Sequence, residues 1–141
     1  MRRDRVTDWP ERLVEAIELQ RRAPFCWGAA DCATLFGAVI EAMTGEDPLA
    51  RYRPWSSETT AARALLSSGS RTVTEFVRTI LVEIPPSMAG RGDFGYLGGA
   101  RNPLQFPAVI TGAEAMSRDP AGWIVVPRGM IVEAYSLRAR A

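Results

Sequence analysis

Apolar positions in the first half of the chain recur with a helical period, and in the second half they shorten into runs divided by turn-forming residues. The sharpest pattern begins at Cys32. Leu35, Phe36, Val39, Ile40 and Met43 follow it at i+3, i+4, i+7, i+8 and i+11, an unbroken stripe along one helix face. Asp31 stands before the stripe as an N-cap and Gly45 after it as a terminator. This helix is expected at the centre of the fold. An earlier helix runs to Arg22 on Leu13, Val14 and Ile17, with Asp8 and Glu11 as a capping box and Pro10 in the first turn; Ala23-Pro24 breaks it. A third helix is expected over residues 57–66, ending at Ser67-Ser68-Gly69. A fourth starts at Thr72, with Glu75 completing a capping box and Val73, Phe76, Val77 and Ile80 as its apolar face. Residues 47–55 read as an ordered loop between them, pinned by Tyr52 and Trp55.

From Gly92 onwards the apolar runs at 94–97, 107–111, 113–116, 123–126 and 132–137 are separated by Gly, Pro, Asn and Asp. That rhythm predicts about five short antiparallel strands. Helices first and strands afterwards make an α+β fold, and no repeat or linker divides the 141 residues, so a single domain over 1–141 is expected.

Composition narrows the function classes. The formal net charge is +1 and all basic residues are arginine, so no broad basic surface points to nucleic acid. The Gly-rich run 95–99 lacks the Lys-Ser or Lys-Thr of a phosphate-binding loop and reads as turns. No apolar run reaches the length of a membrane helix, and a soluble, cytoplasmic protein is expected. Two cysteines do not make a disulfide framework, and a reduced state is expected. There is no histidine at all. This excludes a cysteine–histidine hydrolase mechanism, and with only two cysteines no zinc site is expected; no cofactor is called for.

The chemistry-bearing residues converge on 25–32, Phe-Cys-Trp-Gly-Ala-Ala-Asp-Cys. Cys32 opens a helix, where unpaired N–H groups and the helix dipole favour a thiolate. Gly28 permits a tight loop and Trp27 could form one side of a cleft. Against this stands a second reading: Cys32 begins the apolar stripe and is a small core side chain.

The Trp-Gly-x-x-Asp-Cys segment at 27–32, with Gly92-Asp93-Phe94 opening the strand region, resembles NlpC-type cell-wall peptidases, and more closely their relatives in phages, prophages and gene-transfer-agent-like clusters. The resemblance implies a papain-like fold, with the Cys32 helix packed on an antiparallel sheet and Cys32 in the position of the nucleophile. The family's histidine position falls on Phe106, in the run 106–112, and phenylalanine can neither accept a proton nor pair with a thiolate. Trp27, Gly28, Asp31 and Gln105 are the candidate cleft residues. Two functions follow as expectations. One is a non-catalytic, degenerate NlpC-like protein acting in phage or prophage tail assembly through contacts with tail or particle proteins, in the host cytoplasm or the particle. The other is a thiol hydrolase of peptidoglycan peptides, with Cys32 as nucleophile and a different base.

Overall fold

The computed structural model describes residues 4–137. Its helices are α1 (Trp9–Arg22), α2 (Cys32–Thr44), α3 (Glu58–Ser67) and α4 (Val73–Ile80). They are followed by β1 (Val82–Ile84), β2 (Phe94–Leu97), β3 (Ala108–Ile110), β4 (Glu114–Asp119), β5 (Gly122–Pro127) and β6 (Ile131–Ser136). The strands form one antiparallel sheet in the order β1-β6-β2-β3-β4-β5. The α+β class and the segregation of helices from strands are therefore as the periodicity indicates. The sheet has six strands among the described residues rather than about five. The extra one, β1, is three residues long and lies directly behind α4, where Leu81 already accounts for the apolar position and no turn residue announces a change of period.

The apolar stripe of α2 is the centre of the core. Leu35, Phe36, Val39, Ile40 and Met43 are all buried, against Leu13 and Ile17 of α1 on one side and Phe94, Val109 and Tyr135 of the sheet on the other. Side chains alternate across strands, so their neighbours Ala108, Ile110, Ala115 and Ala134 form a second, thinner cluster on the opposite sheet face, joined by Ala89 and Ile131. Gly45 ends α2 in the left-handed conformation (φ 87°), its N–H donating to the Glu41 carbonyl. The start of α1 departs from expectation. Asp8 makes no side-chain cap; its carboxylate accepts from Arg12 Nε at 2.8 Å, one turn on. At α4 the expected Thr72 cap forms, but Glu75 accepts from the Arg71 N–H rather than from Thr72.

The Gly92-Asp93 pair locks the sheet to the N-terminal segment. Asp93 is buried; its Oδ1 accepts from Arg5 Nη2 (3.1 Å) and Ser136 Oγ (2.6 Å), and its Oδ2 from the Gly90 N–H (2.9 Å). A buried carboxylate costs several kcal/mol unless paired and hydrogen-bonded, and these donors come from three separate parts of the chain. Gly92 holds φ 84°, and a Cβ there would lie 2.9 Å from the Trp9 ring and 3.1 Å from the Met43 sulfur. Substituting Gly92→Ala imposes both the left-handed strain and this crowding. It should lower unfolding free energy by about 2 kcal/mol or more, read by urea denaturation.

Candidate functional site

The site is built at the N-terminus of α2. Asp31 is almost fully buried, and each of its oxygens is used. Oδ1 accepts from the Thr34 N–H at 2.8 Å, while Thr34 Oγ1 accepts from the Asp31 N–H at 2.7 Å, a reciprocal capping box. Oδ2 accepts from the Gly28 N–H and from Trp55 Nε1, both at 2.8 Å. Gly28 sits at φ 81°, and a Cβ there would fall 1.9 Å from the Trp55 carbonyl oxygen, so no other residue fits without displacing that backbone. Gly28 and Asp31 thus have complete structural explanations: they clasp the segment before α3 to the start of α2. Trp55, read from the sequence only as a loop anchor, is the partner in this clasp.

Cys32 is the first residue of α2, as expected, and is half-buried, with its sulfur 3.8 Å from the Leu104 carbonyl oxygen. Burial pushes its thiol up to about 11. The Phe106 N–H opposes this, the adjacent Asp31 charge adds to it, and the N–H groups of Ala33 and Cys32 itself pull weakly the other way. The expected thiolate-favouring helix terminus is therefore present, but desolvation outweighs it, and the group is a neutral thiol at physiological pH. Desolvation thus opposes the thiolate that the helix terminus alone would favour.

Phe106 is brought beside Cys32, but from the segment leading into β3 rather than from a strand. Its ring is buried, 4.9 Å from that of Phe36 and 6.3 Å from that of Phe76. It is a core residue as well as the neighbour of the thiol. Cys32, Phe106 and Leu104 line an apolar pocket with Trp27, Val73 and Phe76, roofed by Ala61, Ala64 and Leu65 of α3. Gln105 does not line it; its backbone carbonyl accepts from Tyr96 Oη at 2.9 Å. Gly28 does not line it either and acts only through Asp31 and Trp55. Apart from Cys32, the ionisable groups along the pocket are Asp31, with its oxygens taken, and Tyr52, whose ring packs edge-on to Phe76. No group there is placed to take a proton from the thiol. Among the described residues no cluster of His, Cys, Asp or Glu could hold a metal ion.

Two polar arrangements had no sequence signal. Arg118 of β4 is buried and donates from Nη1 to the Gln20 carbonyl (2.6 Å) and from Nη2 to that of Ala23 (2.9 Å), capping the C-terminal end of α1 without a carboxylate. On the other side of the sheet's centre, Tyr135 Oη donates to Glu133, which also neutralises Arg78 and Arg101. The Arg101 guanidinium stacks 3.6 Å from the centre of the Tyr96 ring. Both depend on contacts between residues far apart in sequence.

The two cysteines should separate chemically. Cys26 is exposed and Cys32 is not, so iodoacetamide at neutral pH should modify Cys26 and leave Cys32 largely intact, with Cys32 labelling rising only as pH approaches 11. Rapid Cys32 labelling at neutral pH, read by peptide mass spectrometry, would restore the nucleophile. The same shift fixes the sign of a stability effect. A thiol whose folded pKa lies above its unfolded value near 9 stabilises the fold fully below that value and loses the contribution as pH rises to about 11. Melting temperature should therefore fall across that window more steeply in the wild type than in Cys32→Ala, a difference that removes the separate decline from the buried Tyr96 and Tyr135.

No curated protein matches the chain. The model of a family described as a domain of unknown function, DUF6950, matches residues 4–137, and the chain belongs to that family.

Proposed function

We propose that this chain is a non-catalytic protein of papain-like, NlpC-type arrangement that acts in phage, prophage or gene-transfer-agent-like tail assembly through contacts with other particle proteins. The observation that carries the non-catalytic part is the pairing of a neutral, half-buried Cys32 thiol with Phe106 where a base is required. Thiol catalysis needs a thiolate and a group to move its proton. The chain has no histidine, and the one carboxylate at the pocket, Asp31, is held by three N–H donors. Support for the papain-like arrangement is the placing of Cys32 at the first turn of a central helix packed on an antiparallel sheet, with residue 106 beside it. The tail-assembly context rests on the resemblance of the Trp-Gly-x-x-Asp-Cys and Gly-Asp-Phe segments. The hydrolase reading has the pocket beside Cys32 in its favour and lacks the base.

Three measurements test the proposal together. Purified protein should show no turnover of a cell-wall stem peptide at neutral or alkaline pH. Cys32→Ala should cost about 1 kcal/mol of stability, the removal of one small, partly buried side chain, and should still support tail formation. Deletion of the gene should leave tail-like particles absent or incomplete by electron microscopy. Peptide turnover that Cys32→Ala abolishes would establish the hydrolase instead, and normal particles from the deletion strain would remove the assembly role.

A further inference from the structure

We infer that the pocket beneath α3 is a binding site for a small, neutral, branched alkyl group, of the size of an aliphatic amino-acid side chain. The inference deepens the non-catalytic reading of Cys32, because it takes the thiol as a neutral part of the lining. α3 differs from the other three helices in having no fully buried residue. Its inward positions carry Ala61, Ala64 and Leu65, and the two alanines leave a gap over Cys32, Leu104 and Phe106. Protein interiors leave few voids larger than a water molecule, so a cavity of about 60 Å³ in one place, opening to the surface, is unfilled contact area.

The lining decides the class of ligand. Asp31 has no oxygen left to offer, and the thiol carries no charge, so an ionic ligand would lose its hydration and gain no partner. An alkyl group replaces void with dispersion contacts to Trp27, Phe106 and Leu104. Size favours a small group: the 60 Å³ of the pocket is less than half of the roughly 150 Å³ known to admit benzene. Entry has a mechanical route. The Asp31–Trp55 bond holds the chain just ahead of α3, whereas the far end of α3 runs into Gly69, at φ 87° and with nothing within 4 Å of its Cβ position. Movement about Gly69 lifts Leu65 and Ser68 from the mouth and leaves the clasp intact.

The test reads alkylation of Cys32 by iodoacetamide at alkaline pH, with exposed Cys26 as the internal reference. Isobutanol and N-acetyl-leucinamide are the probes, and N-acetyl-aspartate is the polar control. Both probes should slow Cys32 labelling about threefold, the protection given by a ligand at twice its Kd, without changing Cys26; the control should change neither. Ala64→Leu, or Ala61→Val if that variant fails to fold, fills the gap and should abolish the protection. Protection by isobutanol alone assigns the pocket to free small molecules, and protection by both admits a side chain presented by a partner. Unchanged Cys32 labelling with both probes, or equal slowing in the filled variants, overturns the inference. Stem-peptide turnover would sink the non-catalytic reading without altering these rates, so the two failures are distinguishable.

Discussion

The Asp31 carboxylate gathers three N–H donors from the turn at Gly28, the first turn of α2 and the indole of Trp55, and the shape of the whole site follows from that convergence. A carboxylate buried at this depth is tolerated only because each of its oxygens is occupied. Its donors come from segments that would otherwise be free to separate. With them held, Trp27 is placed at the pocket, Cys32 starts the central helix, and the chain is delivered to α3 at a fixed point. The residues that look most like a catalytic motif in the sequence are in large part the parts of this fastening. Cys32 takes no part in the fastening, and burial pushes its thiol towards the neutral form.

The central helix could be read from the sequence because everything that defines it is local. Asp31, the spacing of Leu35, Phe36, Val39, Ile40 and Met43, and Gly45 act within a few residues of one another, and all behave as expected. The capping box assigned to Asp8 and Glu11 failed because a competing local partner, Arg12, takes the Asp8 carboxylate. β1 went unseen because three residues give no period to detect, and its existence depends on pairing with β6, some fifty positions away. Of the site, Trp27, Asp31, Cys32 and Phe106 were legible, whereas Gln105 lies off the pocket and Trp55 and α3 were missed as its lining. That Cys32 begins a helix is a statement about neighbours; that its thiol is desolvated depends on Leu104, Phe106 and α3 lining the pocket around it. Arg118 and the Glu133 cluster belong to the same class, since a lone arginine in a strand gives no hint that helix carbonyls await it.

The environment of Phe106 shows a residue beside the thiol committed to the core. Its ring joins Phe36 and Phe76 in one aromatic cluster, which a polar, titrating side chain could join only by forgoing hydration or contact. A histidine at this position would place an imidazole among apolar rings. Catalysis would therefore need the cluster to be rebuilt along with the base.

The strand order has a consequence for how the molecule comes into being. β6 lies between β1 and β2, although it is the last of the six to leave the ribosome. Until it emerges, β1 has no partner and β2 has an open edge. Asp93 is meanwhile without Ser136, one of its donors. Helices α1 and α2 can pack against each other during synthesis, but the sheet that covers them cannot close. At translation speeds of about 5–20 residues per second, the interval from β2 to β6 lasts seconds, and throughout it an unpaired strand edge next to a half-covered core is the surface a chaperone would meet.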